Sequence, residues 1–292
     1  MKRYSYKKVD AFISGKSMGN PAAYIVTGKD KLTDNEYLKI GKEHAGFVSE
    51  VVFCSDSKVA DCKLTYYSSE CEVDFCGHGT IATMYELIKG NESWRDRDKI
   101  SIETNKKGVL TVYNNLKSED SIYITAPKAL FFNCNISKDR IAQALNISSD
   151  DISDKYDIDL IDAGLRTLIV PINSLEREIK IYPDEKFLKQ FVLDNDIDII
   201  LIYSMECSQP DYFAHTRVFA PKFGYLEDPA TGSGNSAFAN YLLKHNLWDG
   251  SPISIEQGGD NIIFNSVKLK TNGLEVLFGG KATARIEGVY LL

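Results

Sequence analysis

A glycine-rich pattern that occurs twice constrains this chain more than any other feature. Gly77 to Asn91 reads Gly-His-Gly-Thr-Ile-Ala-Thr-Met-Tyr-Glu-Leu-Ile-Lys-Gly-Asn. Moved on by 155 positions (232 − 77 = 155), Gly232 to Asn246 reads Gly-Ser-Gly-Asn-Ser-Ala-Phe-Ala-Asn-Tyr-Leu-Leu-Lys-His-Asn, with six identities in fifteen. Both glycines match, as do the alanine, leucine, lysine and asparagine. In the first copy the glycines run into an apolar helix pattern (Ile81, Ala82, Met84, Tyr85, Leu87, Ile88). The first N–H groups of a helix have no intrahelical partner and sit at the positive end of its dipole. Glycine there lets a ligand reach the backbone, so each copy is a candidate anion site. An offset near half of the 292 residues predicts two similar halves, each presenting one such helix start. A Gly-x-Gly alone is a weak signal, and the residues around it must decide.

The length is enough for two domains with cores of their own. A hydrophobic share of 43% and a charged share of 26% are those of a globular protein. A formal charge of −7, with no basic cluster beyond Lys106-Lys107, argues against nucleic acid and acidic membrane surfaces as partners. The basic N-terminus, Met1 to Lys8, meets Asp10 where the apolar core of a signal peptide would begin, so a cytoplasmic location is expected. No stretch is apolar for long enough to predict a membrane span. Six scattered cysteines without a C-x-x-C pair read as free buried thiols rather than a disulfide framework or a zinc ribbon.

In chain order, 4–12 reads as a strand, Gly19-Asn20-Pro21 as a turn, and 22–26 as a second strand. Thr33 with Glu36 three residues on forms a capping box for a helix carrying Tyr37, Leu38 and Ile40. Glu50 stands at the entrance of the apolar run 51–54; on local sequence alone a carboxylate there is usually solvated. Strands follow at 63–67, 100–104, 108–113 and 121–125, with a polar connection at 91–97. Ser137 caps a helix, 159–162 and 167–171 pair, 185–193 is helical, and 197–203 and 213–219 are strands. The tail adds strands at 254–256, 261–264, 267–269, 274–278 and 284–292. Short strands with few helices predict an α+β protein. The expected boundaries are 1–120 for the first half, with a last strand 282–292 returning to it, and 121–281 for the second.

Three sets of residues compete for the chemistry. Two thiols on opposite faces of a carbon would move a proton between them, and Cys76 at a helix start suits one of them. The position matching Cys76 in the second copy is Thr231 (76 + 155 = 231), which cannot act as such a base, so Cys76 either lines a pocket or is a small buried apolar residue. The second set is Glu50, His78, Asp228 and Ser233. Histidine is the side chain whose unperturbed pKa lies nearest neutrality, which makes His78 a candidate proton relay, and Asp228 before Pro229 reads either as a cap for the following helix or as a proton-sharing group. The third, nucleotide binding, is set aside because no G-x-G-x-x-G or Walker lysine is present.

Taken in order, Val9-Asp10-Ala11-Phe12, Gly19-Asn20-Pro21-Ala22-Ala23, Ser49-Glu50, Cys76-Gly77-His78-Gly79-Thr80, Arg217-Val218-Phe219-Ala220-Pro221 and Glu227-Asp228-Pro229-Ala230-Thr231-Gly232-Ser233 resemble the PhzF-like phenazine-biosynthesis family. The resemblance implies the fold of diaminopimelate epimerase and proline racemase: two pseudo-symmetric halves, each a curved, mainly antiparallel sheet around a central helix, with the site between them. It implies a cofactor-independent isomerase, without metal, in which Glu50 moves a proton on a carbon of a small carboxylate. Asp228, His78 and Ser233 would orient or assist. Backbone amides around Gly77, Gly79, Gly232 and Gly234 would bind oxygens, with Asn20 and Cys76 beside the substrate, and a homodimer is expected. A carboxylate with a pKa of about 4.3 is a weak base for carbon acids, so burial is expected to raise that of Glu50. Two departures stand out: Thr231 in place of the second racemase cysteine, and Asp260-Asn261 after Gln257-Gly258-Gly259, where many relatives carry an arginine. The competing readings are a non-catalytic binding module of the same fold and, more weakly, an amino-acid racemase.

Overall fold

A computed structural model describes residues 1–260 and 262–292. The chain divides into two compact units, Met1–Thr125 with Gly279–Leu292, and Ala126–Phe278.

In the first unit, strand Arg3–Ala11 is paired antiparallel on one side with Ala282–Leu291 and on the other with Asn20–Gly28. Asn20–Gly28 runs parallel to Val51–Ser55, which pairs antiparallel with Cys62–Tyr67. Cys62–Tyr67 takes the two-residue strand Glu72–Val73 antiparallel and Lys99–Thr104 parallel, and Gly108–Asn115 and Ser121–Thr125 continue the sheet. Successive side chains of a strand point to opposite faces. Ala23, Ile25, Val51 and Phe53 therefore share one face, where they pack with Leu32 and Ile40 around helix Asp34–Glu43. That helix begins with the capping box expected at Thr33 and Glu36. Val52 points the other way, toward Gly79 of helix Gly77–Gly90. This helix is buried from Gly79 through Tyr85 and at Ile88, so it is apolar on nearly all sides and forms the centre of the unit.

The second unit pairs Leu130–Phe132 with Asp159–Asp162 and the latter with Arg166–Pro171, both antiparallel. Arg166–Pro171 runs parallel to Ile199–Ser204, which pairs antiparallel with Ala214–Phe219. Ala214–Phe219 takes Glu227–Asp228 antiparallel and Ile253–Gln257 parallel, and Asn265–Thr271 follows. Ile199–Ser204 is buried at every position because both faces are covered. Ile200 and Ile202 face Ile141, Leu145, Leu188 and Val192 from helices Lys138–Leu145 and Glu185–Asp194. Tyr203, on the opposite face, meets Phe238 at 4.7 Å between ring centroids and places its hydroxyl 2.9 Å from that of Tyr241. Both partners belong to the buried helix Gly232–Lys244.

Several local expectations differ. Asn20 and Pro21 are not in a turn but open a strand, opposite Ala11 and Asp10; the reversal is completed before them, at Gly19, whose φ of 73° suits glycine. The polar connection contains a short helix, Glu92–Arg95. In the strand expected at 261–264, residues 262–264 are irregular and Asn261 lies outside the described residues. The strand expected from 274 begins at Val276, after a turn in which Asn272 accepts the N–H groups of Leu274 and Glu275. The cysteines are unbridged, but only Cys54, Cys62 and Cys76 are buried; Cys71 is exposed and Cys134 and Cys207 are half-buried.

Candidate functional site

The start of the helix Gly77–Gly90 gathers three of the residues singled out in the sequence. Cys76 is its N-cap, and its sulfur accepts the N–H of Gly79 at 3.2 Å. A side chain on residue 79 would put Cβ 2.9 Å from both that sulfur and Val52 Cγ2, so Gly79 is needed for close packing of the helix start against the strand. The Thr80 hydroxyl donates to the carbonyl of Cys76 and lies 2.7 Å from Tyr66 Oη, fastening the turn to strand Cys62–Tyr67. Burial pushes the Tyr66 phenol well up, which keeps it neutral.

On this frame His78 Nε2 lies 3.3 Å from Glu50 Oε2 and 3.2 Å from the hydroxyl of Ser49. Cys76 Sγ is 3.6 Å from Glu50 Oε2, 3.5 Å from His78 Nδ1 and 3.8 Å from His78 Nε2. Glu50 owes its place to the strand it precedes. Its carbonyl accepts the N–H of Ala23, the first rung between the strand that begins at Asn20 and the one that begins at Val51. Side chains of Glu50 and His78 are 19% and 14% exposed, so the cluster is sheltered yet reachable. A carboxylate, an imidazole and a thiol within hydrogen-bonding reach of one another can take up a proton, hand it on and give it back. Asn20, buried, begins the strand that Glu50 joins.

The second unit builds a different environment at its own helix start. The N-cap of Gly232–Lys244 is Thr231, and it makes no side-chain cap bond. Asp228, read from its place before Pro229 as a cap or a proton-sharing group, stands three residues ahead of Thr231. Its carboxylate accepts the Thr231 hydroxyl at 2.5 Å. The unpaired N–H of Thr231 goes instead to Gln257 Oε1 at 3.0 Å, which also accepts from Asn235 Nδ2 at 2.8 Å. The Gln257 amide nitrogen donates to the carbonyl of Asp228 and to Thr231 Oγ1. Here too glycine serves packing: Cβ at Gly232 would fall 2.5 Å from the ring of Phe278, and at Gly234 it would touch Ile199, Val218 and Thr231 at 3.3–3.4 Å. Ser233, between them, is half-buried.

Glu50, Cys76, His78, Gly77 and Gly79 thus share one helix start, and Asp228, Gly232, Ser233 and Gly234 share another. Two residues were not singled out. Ser49 holds the imidazole that neighbours Glu50, and its signal was its adjacency to that carboxylate. Gln257 is the hub of the second cluster, and only the Gln-Gly sequence hinted at it. Arg217 proves structural: it is buried, pairs with Glu227 through Nε and Nη2, and donates through Nη1 to the carbonyls of Glu178, Ile179 and Ile181.

A family model described as phenazine biosynthesis-like protein matches residues 9–288. A Bacillus subtilis protein named uncharacterized isomerase YfhB is 32% identical over 263 residues, 88% of this chain and 87% of its own. A trans-2,3-dihydro-3-hydroxyanthranilate isomerase of Pseudomonas fluorescens is 24% identical, over 87% and 86% of the two chains. A crystal structure of a Bacillus anthracis phenazine biosynthesis protein of the PhzF family superposes with a TM-score of 0.87 at 25% identity, over the whole of both chains. No helix among the described residues is long and apolar enough to cross a membrane.

Proposed function

We propose, from the premise that this chain belongs to the phenazine biosynthesis-like family, that it is an isomerase that moves a proton on a carbon of a small carboxylate substrate, with Glu50 as the acid/base. The observation that carries this reading is the contact of Glu50 with His78 at 3.3 Å, beside Cys76, at a glycine-rich helix start. Glu50 takes the proton from the activated carbon, the substrate's electron pair shifts into the adjoining π system, and the proton returns to another carbon. No oxidant or co-reactant is consumed. His78, held by Ser49, donates a hydrogen bond to whichever oxygen of Glu50 is not engaged with substrate. Gly77 and His78, in the first helical turn, present N–H groups that have no carbonyl within the helix to pair with, and these meet the developing negative charge. The printed activity of the Pseudomonas fluorescens relative, an isomerase of a dihydro-hydroxyanthranilate, supports a cyclic carboxylate as the substrate class. In the second unit, Thr231 and Gln257 hold Asp228 beside the helix start at Gly232.

We also infer that the two units are copies of one plan, as the 155-residue offset suggests. The supporting observation is that both run through the same order of pairings: antiparallel, parallel, antiparallel, a two-residue antiparallel strand, parallel, antiparallel.

The test is exchange of substrate carbon-bound hydrogen in D₂O, followed by NMR with a panel of dihydro-aromatic and amino acids, for the natural chain beside Glu50→Gln. Exchange at one carbon, lost in the variant, is the expected result. Full exchange in Glu50→Gln refutes the assignment of the base, and no exchange with any member of the panel favours a binding role.

A further inference from the structure

The three side chains at the first helix start differ in chemistry but converge as a ligand set does. Cys76 Sγ, His78 Nε2 and Glu50 Oε2 form a triangle with edges of 3.8 Å (S to N), 3.3 Å (N to O) and 3.6 Å (S to O). A tetrahedral zinc ion with bonds of about 2.3 Å to sulfur and about 2.1 Å to nitrogen and oxygen requires edges of about 3.6, about 3.4 and about 3.6 Å. Each observed edge is within about 0.2 Å of that requirement, so the three donors need hardly move. Among the described residues this is the one group of three or more such side chains close enough to hold an ion. We propose that Glu50, Cys76 and His78 form a binding site for a thiophilic divalent cation, zinc being the best fit, and that the bound ion switches the proton transfer off.

The donor set favours zinc over magnesium or calcium, which prefer oxygen alone. The thiol gives up its proton to solvent as the sulfur–metal bond forms. With the ion bound, the ring proton of His78 sits on Nδ1, so Nε2 gives up the N–H it presents to Glu50 in the free chain and offers its lone pair to the ion. Partial exposure of Glu50 and His78 leaves room for water as the fourth ligand. A carboxylate oxygen bound to zinc is no longer available to remove a proton from carbon. The binding half of this proposal stands on geometry alone, whereas the inhibitory half rests on the acid/base reading of Glu50.

The experiment uses the whole chain freed of metal. Zn²⁺ is titrated against a chromophoric chelator, Co²⁺ binding is followed by its thiolate charge-transfer absorption, and deuterium exchange is measured along the zinc titration. One ion per chain is expected, with a cobalt–thiolate band that is lost in Cys76→Ser and kept in Cys71→Ser. Affinity should fall at least tenfold in His78→Gln and in Glu50→Gln. Exchange should decline in proportion to occupancy and return on chelation. Binding that is absent, or unchanged in Cys76→Ser, overturns the site but leaves the exchange test of Glu50 untouched. Exchange that continues in the fully zinc-loaded chain overturns the inhibitory half.

Discussion

Replacing Gln257 removes a side chain that ties strand Ile253–Gln257 to the helix start at Thr231. Gln257 is fully buried and makes four hydrogen bonds, two as acceptor and two as donor. In Gln257→Ala the N–H of Thr231 is left inside the unit without its partner, at a cost of about 1–3 kcal/mol. The Asn235 amide keeps its bond to the carbonyl of Thr231 and loses only the one to Gln257, about 0.5–1.5 kcal/mol more. The sum is about 3 kcal/mol, before any collapse of the space left behind. With a urea slope of about 2 kcal/mol per molar, the unfolding midpoint should fall by about 1.5 M. Gln257→Glu separates the two kinds of contact. It keeps the acceptor facing Thr231 and Asn235, but sets a carboxylate oxygen against the Asp228 carbonyl and Thr231 Oγ1, where the amide nitrogen now lies at 2.9 and 3.1 Å. Burial and these oxygens raise the pKa of the new acid, so its penalty is full at neutral pH and shrinks as pH falls toward about 4. Urea unfolding of the three proteins at neutral and mildly acidic pH measures this. A midpoint in Gln257→Ala within about 0.3 M of the natural chain, under 1 kcal/mol, would refute the account of Gln257 as the tie.

Three further outcomes follow from the geometry. Gly232→Ala drives a methyl into the Phe278 ring and should destabilise by about 1–3 kcal/mol, a penalty that largely disappears in a Phe278→Leu background; additive losses in the double variant would count against the clash. Asp61 is held well below the usual carboxylate range, first by the paired bonds from Arg97 and then by the Ser101 N–H and hydroxyl. Its contribution is present above the ordinary value near 4 and is lost as pH falls from there toward its own lower pKa, so Asp61→Asn should lower stability at neutral pH by about 1–2 kcal/mol and flatten the acid limb of a stability profile. Glu178 shows the opposite sign. Burial raises its pKa although His215 Nδ1 lies 3.1 Å away, a contact without the alignment of a hydrogen bond. Its cost is absent below the ordinary value near 4.5 and grows as pH rises toward its own higher pKa, so Glu178→Gln should remove a fall in stability across that window, seen in denaturation midpoints against pH.

Features governed by neighbours in the sequence were legible from it. The Thr33–Glu36 capping box and the helix starts at Gly77 and Gly232 depend on residues three or four apart, and both formed where expected. Glu50 and His78 were grouped as one set and Cys76 joined them through the resemblance, but their direct contact could not be read locally, because strand pairing brings position 50 to position 76. Gln257 was illegible for the same reason: its partners stand 22 to 29 positions away, and glutamine carries no local preference that announces a buried hub. The glycines carry a second constraint that their spacing did not announce. Their spacing suggested room for a ligand, and at 79, 232 and 234 the missing Cβ also lets a helix start lie against Val52, Phe278 and Ile199. Asn20-Pro21 read as a turn because both residues favour turns locally, and pairing with Ala11 and Asp10 overrode that preference.

The pairing of the first strand with the last sets an order of events during synthesis. Lys2 and Leu292 exchange backbone hydrogen bonds, and Arg285 reaches Asp10 across 275 positions of chain. Residues 282–291 must therefore leave the ribosome before the first unit can close its sheet, and until then Arg3–Ala11 waits with one edge bare. Ala126–Phe278 is continuous and can complete itself earlier. The nascent chain thus carries a finished second unit beside an unfinished first, and the exposed edge of its opening strand is where a holding chaperone would be needed most.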